Sequence, residues 1–291
     1  MKTFTISNNY LQIKIASKGA ELQSIINKET GLEYMWNADP VFWAKKSPVL
    51  FPIVGGLKQN TYLFNNKNYQ LNRHGFARDM EFEISYQSSE KIILNIQSSE
   101  ETLKVYPFHF LFSVVYELVD DKLKVSYVIE NIGEEAMYFS VGAHPAFKVP
   151  LIEGTNFNDY FLQFNCVENT NKWPLSKDGL IELTSVPLLN NSTKLSLYKE
   201  LFYSDALVFK HLASDEISIL SNKTKHGVSV GYKGFPYMGI WSARNADFVC
   251  IEPWCGIADS VNTTQQLTEK EGINILASKQ KFEASWFAKF F

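Results

Sequence analysis

The sequence predicts an all-β protein, one large antiparallel β-sandwich with few short helices. Three observations carry this expectation. Apolar and polar residues alternate with period two along several segments, turn-forming pairs punctuate those segments, and helical periodicity is scarce.

The elements follow in chain order. Leu11, Ile13 and Ile15 alternate with Gln12 and Lys14, the pattern of a strand with one buried face. Met80-Glu81-Phe82-Glu83-Ile84-Ser85-Tyr86 alternates without a fault and is expected to be a half-buried antiparallel strand. Phe110–Leu118 and Lys122–Glu130 are further strands, and the Asp120-Asp121 pair between them predicts a hairpin. Within the second, Leu123, Val125, Tyr127 and Ile129 form a one-sided apolar row. Asn8-Asn9, Asn65-Asn66 and Asn131-Ile132-Gly133 mark other turns. The clearest helix signal is the capping-box spacing of Thr268-Glu269-Lys270-Glu271, which Gly272 cuts short. The stretch from Asn165 to Glu200 holds the weakest pattern and is expected to be a long loop excursion. Strand signals continue to the C-terminal region with no repeat and no linker rich in Pro, Gly or Ser, so residues 1–291 are expected to form a single domain.

Composition narrows the function classes. Twenty-eight basic residues against 31 acidic ones leave a net charge of -3, without the basic excess that a nucleic-acid partner requires. Cys166, Cys250 and Cys255 are an odd set with no C-x-x-C pair, which points to reduced thiols rather than a disulfide framework. The N-terminus lacks the apolar region of a signal peptide. The most apolar stretch, Phe108 to Val119, is broken by His109, Ser113 and Glu117 and is too short to span a bilayer. A cytoplasmic protein without a membrane partner, monomeric or homodimeric, is expected.

Two segments place a proton-transfer residue directly before a proline. In Phe139-Ser140-Val141-Gly142-Ala143-His144-Pro145, the residues Ser140, Gly142 and His144 share one face of a strand pattern. In Asp247-Phe248-Val249-Cys250-Ile251-Glu252-Pro253, Phe248, Cys250 and Glu252 do. Proline disfavours the helical region for its predecessor, so His144 and Glu252 are expected at extended strand ends, with Gly142 leaving room for a ligand. A lone His or Glu at such a place is ordinarily structural or solvated; the matched pair is what raises both.

Arg73-His74-Gly75-Phe76-Ala77-Arg78-Asp79 is a third candidate, since His74 and Arg78 would face one side of an extended segment. Its bland alternative is a charged loop in which Arg78 pairs with Asp79. Asp205, in Tyr203-Ser204-Asp205-Ala206, reads by itself as a turn or capping residue. His109, His211 and His226 are expected to be structural. A zinc set of His74, His144, Cys250 and Cys255 can be written down, yet no second compact ligand pair supports it, and no P-loop or dinucleotide fingerprint is present. No metal and no cofactor are expected.

Together these motifs resemble the aldose 1-epimerase, or galactose mutarotase-like, family. The resemblance rests on Tyr106-Pro107-Phe108-His109-Phe110, Gly142-Ala143-His144-Pro145-Ala146-Phe147 and Glu252-Pro253-Trp254-Cys255-Gly256, in that order. His74-Gly75-Phe76-Ala77-Arg78 is similar to the branch that contains LacX-like proteins and hexose-6-phosphate mutarotases. It implies a galactose mutarotase-like supersandwich that interconverts the α and β anomers of an aldohexose, free or phosphorylated. On the matching positions Glu252 would be the general base and His144 the general acid. His74 would hold the ring-oxygen side, and Arg78 and Asp205 would bind hydroxyls or a phosphate. Where relatives often carry a further arginine, this chain has Lys45, Lys46, Gly56 and Lys58, which leaves Lys46 as the candidate second cationic contact. Two rival classes stay open at this point: a glycoside hydrolase using Asp205 and Glu252, and a sugar-binding sensor that turns nothing over.

Overall fold

The computed structural model describes residues 2–291. Its backbone is a nine-stranded antiparallel sheet, a five-stranded sheet and three smaller ribbons. The large sheet runs in the order Val186–Ser196, Tyr160–Lys172, Glu216–Ser221, Val228–Gly231, Lys281–Phe290, Lys122–Asn131, Phe110–Val119, Lys91–Gln97, Glu83–Gln87. Phe110–Val119 and Lys122–Asn131 pair from Phe110↔Asn131 to Val119↔Lys122, the hairpin that Asp120-Asp121 foretold. Leu11, Ile13 and Ile15 are fully buried in the strand Leu11–Ala16. Each contributes about 1.5–3 kcal/mol by burial, and a one-residue slip would expose all three, so the pattern fixes the register.

The five-stranded sheet positions the site. Its central strand Phe248–Cys255 is flanked on one side by Tyr237–Trp241 and then Leu207–Lys210. On the other side lie two short strands, Val141–Gly142 and Ala146–Lys148. Val249, Ile251 and Cys255 of the central strand point into the main core. Phe248, Cys250, Glu252 and Trp254 alternate to the opposite face, and there they meet two smaller apolar clusters instead.

Four expectations are corrected. The strand Phe248–Cys255 does not stop at Pro253 but runs through it. The Pro253 carbonyl accepts from Ala143 N–H at 3.0 Å, so its ring nitrogen faces that same edge, where the neighbouring chain is interrupted at His144-Pro145 and no ladder donor is required. His144 accordingly lies in a break between two short strands rather than at the end of one long one. The alternating segment at Met80–Tyr86 is a strand only over Glu83–Gln87, and every residue of it is exposed. It is the outermost strand of the large sheet, with a register shift between Ile84 and Tyr86; of the alternating segment Phe82 is buried in the core and Met80 packs against it partly buried.

From Asn165 to Glu200 the chain is largely a long hairpin, not a loop: Tyr160–Lys172 pairs with Val186–Ser196. Register shifts after Gln163, Glu168 and Thr170 break the period-two pattern that would have revealed it. The Thr268 signal yields a single 3-10 turn, Leu267–Glu269, while the α-helix is Glu100–Val105. Ser99 caps that helix by accepting from Thr102 N–H, and Thr102 Oγ1 accepts from Ser99 N–H at 2.8 Å, a capping box with threonine where glutamate is usual.

Candidate active site

A cavity of about 290 Å³ opens on the outer face of the five-stranded sheet. Such a volume is at the lower end of small-molecule sites, which run from roughly 300 Å³ upward. Glu252, His144, His74, Arg78 and Asp205 all line it, so five of the six candidates come together from four separate chain segments.

The floor depends on two glycines. A Cβ on Gly142 would stand 2.6 Å from the Trp254 ring, and one on Gly239 would stand 2.4 Å from it. Both neighbouring strands therefore yield space to one indole, and Trp254 lies across them beside Glu252. Gly142 does make room, as its spacing suggested, but the room is taken by Trp254 rather than by a ligand. Trp43 stacks on the His144 imidazole at 5.0 Å and Trp241 meets it edge-on at 5.6 Å.

Glu252 is 1% exposed, and its Oε2 is 3.3 Å from His144 Nε2. The two groups are close without being aligned as a hydrogen bond, because Glu252 Oε2 has no hydrogen-bond partner among the described residues. An unsatisfied buried acceptor costs about 1–3 kcal/mol, which a ligand hydroxyl would recover. Burial raises the Glu252 carboxyl well above the usual carboxylate range, and Asp205 adds to this while Arg73 opposes it. Burial, with the nearby Arg73 and Arg78 charges, lowers the His144 imidazole to about 3. Both shifts disfavour the charged form of the group concerned.

His74 is fixed by a reciprocal bond with the facing loop. Its backbone N–H donates to the Gly55 carbonyl at 2.9 Å, and Gly55 N–H donates to His74 Nδ1 at 3.1 Å. Nδ1 is then the acceptor, which leaves Nε2 to carry the proton as a neutral donor. Burial also lowers the His74 imidazole, with His144, Arg73 and Arg78 adding to the effect. The segment is not extended as the sequence suggested. His74 has φ 70° and Gly75 φ 69°, and Ala77–Asp79 forms a 3-10 turn. A Cβ on Gly75 would meet the Phe51 carbonyl oxygen at 2.3 Å, so glycine is needed there. Arg78 Nη2 donates to the Arg73 carbonyl at 2.9 Å, and its Nε is 3.7 Å from Asp79, so the ion pair of the bland alternative coexists with a place in the cavity wall. Asp205 also plays both parts. At φ 81° it accepts from Ala206 N–H through Oδ1 at 2.7 Å, and Oδ2 stands 3.8 Å from Arg73.

Lys46 is not brought to the cavity. Its ammonium donates to the Gln23 carbonyl at 2.8 Å. Lys58 is likewise spent on the Val261 carbonyl, and Lys45 lies 3.8 Å from Asp79. The second cation is Arg73, which lines the cavity next to Asp205. Its position beside His74 was the available signal, masked by the four-residue spacing from His74 to Arg78. Trp43, Trp241 and Trp254 were missed as well. The ligand atoms of His144, Cys250 and Glu252 lie within 4.8 Å of one another, a different trio from the zinc set the sequence allowed. Burial raises the Cys250 thiol, which keeps it protonated and a poor metal ligand. All three cysteines are free, and no helix among the described residues is long and apolar enough to cross a membrane.

A carboxylate and an imidazole facing one indole-walled cavity on a β-sheet suit acid–base chemistry on a sugar ring, the work of a carbohydrate isomerase. The profile of the aldose 1-epimerase family matches residues 2–272, and the chain belongs to that family. It is 33% identical over 277 residues to the chromosomal LacX protein of Lactococcus lactis subsp. lactis, an alignment covering 92% of each chain. A galactose mutarotase related enzyme from Lactobacillus acidophilus superposes with a TM-score of 0.95 at 35% identity, covering 100% of this chain and 97% of that one. A galactose mutarotase-like protein from Lactobacillus casei gives 0.94 at 28% identity, with 100% of both chains covered.

Proposed function

We propose that the protein is a mutarotase for an aldohexose, free or phosphorylated, with Glu252 as general base and His144 as general acid. Glu252 removes the proton of the C1 hydroxyl while His144 delivers one to the ring oxygen. The C1–O5 bond breaks as the C1 carbonyl forms, C1–C2 rotates, and the steps reverse on the other face. His74 Nε2–H holds the ring-oxygen side, and Arg73, Arg78 and Asp205 bind hydroxyls. One proton suffices for the pair. Arg73 favours the Glu252 carboxylate that accepts the C1 proton, and the sugar hydroxyls add donors to it.

The observation that carries this reading is the unpartnered Glu252 Oε2 at 3.3 Å from His144 Nε2, on the cavity floor. The test is NMR or polarimetry on freshly dissolved anomers of glucose and galactose, run beside chromogenic glycosides. Protein-dependent anomer exchange without glycoside cleavage is expected. Cleavage would favour a hydrolase, and binding without exchange would favour a sensor.

A further inference from the structure

The loop that fixes His74 is itself fixed from behind, by a buried ion pair that takes no part in the proton transfers. Lys270 Nζ donates to Asp259 Oδ1 at 2.8 Å, and both side chains are 3% exposed. Burial lowers the Lys270 ammonium, and Asp259 opposes that shift. A pair this deep adds little net stability, because desolvating both charges offsets their attraction. What it supplies is a carboxylate of fixed direction. With Oδ1 held by the ammonium, Asp259 Oδ2 accepts from Lys58 N–H at 3.0 Å. Asp259 N–H in turn donates to the Gly56 carbonyl at 2.9 Å, so one residue clasps the loop at positions 56 and 58 together.

The clasp reaches the catalytic cavity through Gly55. The backbone there lies against Ala258, the neighbour of Asp259, so closely that a Cβ on Gly55 would stand 2.7 Å from the Ala258 Cα. Held in this way, Gly55 N–H meets His74 Nδ1 at 3.1 Å. A proton on Nδ1 would oppose that N–H, donor against donor, so the amide selects the tautomer with Nε2–H. Without the amide the imidazole is free to carry its proton on Nδ1, and Nε2 then turns from donor to acceptor on the ring-oxygen side. We propose that Asp259 and Lys270 are positioning residues for the reaction, acting through the loop 55–58 to hold His74 in its donor tautomer. The proposal rests on the mutarotase reading for the task of His74, whereas the tautomer itself is a property of the free protein.

The test reads the tautomer and the turnover separately. Asp259→Ala/Lys270→Met removes the clasp without leaving a buried charge unpaired. Asp259→Asn/Lys270→Met is the milder second variant, close to isosteric, with an amide that no ammonium steers; it decides alone should the first not fold. In 15N-histidine spectra of the sugar-free protein, His74 is the resonance, among five histidines, that a His74→Asn variant lacks. Wild type should show a protonated Nε2 and an acceptor Nδ1, and the clasp variants a mixture of tautomers. The kcat of anomer exchange should fall by ~10-fold or more in the alanine variant, with a smaller loss in the asparagine one, and KM should stay within ~3-fold. In a His74→Asn background the same substitutions should cost less than ~2-fold further. A wild-type tautomer in the folded variants, or losses that multiply with that of His74→Asn, would overturn the proposal. Wild-type protein without anomer exchange would sink the mutarotase reading instead, and the sugar-free spectra would still decide whether the ion pair sets the tautomer.

Discussion

His144 Nε2 stands 3.3 Å from Glu252 Oε2 without closing a hydrogen bond, and the two residues come from chain segments that only the sheet brings together. This contact governs the pH dependence. The working pair holds one proton. Acid ends activity by adding a second at His144, whose imidazole is lowered to about 3; alkali ends it by removing the proton from the pair, which the raised Glu252 carboxyl resists. The pH profile of kcat/KM should thus be a plateau wider than the interval between the ordinary values of ~4.3 and ~6.5. Limbs at those two ordinary values would show that burial does not set the proton inventory.

His144→Asn should lower exchange by ~10²-fold or more, while His109→Asn should leave it at the wild-type level. His109 is exposed, contacts Ser98 Oγ at 3.4 Å and does not line the cavity. Equal losses in the two variants, with folding checked by circular dichroism, would refute the placement.

Arg73 and Lys46 separate the cation read from the structure from the one expected from sequence. Arg73→Gln should cut kcat/KM by ~10-fold or more, since a charge-assisted contact to substrate and a stabiliser of the carboxylate are lost together. Lys46→Gln should change kcat/KM little, its ammonium being engaged by the Gln23 carbonyl. Steady-state kinetics on both variants decides between them.

Gly142→Ala places a methyl against the Trp254 ring at 2.6 Å, with the Val54 side chain at 3.2 Å behind it. Overpacking of this kind costs about 1–3 kcal/mol. A lower thermal midpoint and a raised KM are expected; unchanged values of both would mean that Trp254 does not need the space.

Much of this was legible in the sequence where the physics is local. Alternation at Leu11–Ile15 and Leu123–Ile129 reports a buried face, and the Asp120-Asp121 turn reports its hairpin. Glu252 and His144 stood out because each precedes a proline. Bulges hid the hairpin after Tyr160, and an uncovered sheet edge gave Glu83–Gln87 the pattern of burial without the burial. The site's walls were less legible because their partners are distant. Trp254 is explained only by glycines on two other strands, Trp43 only by its stacking on His144, and the role of Arg73 only by Asp205, far along the chain.

The most direct test of the central claim is anomer exchange by Glu252→Gln. The substitution keeps the shape of the side chain and removes its power to accept a proton. In a variant whose circular dichroism and thermal unfolding match wild type, the enzyme-dependent exchange rate of glucose or galactose anomers should fall by ~10²-fold or more. Exchange at the wild-type rate in that variant would contradict the assignment of Glu252 as the base.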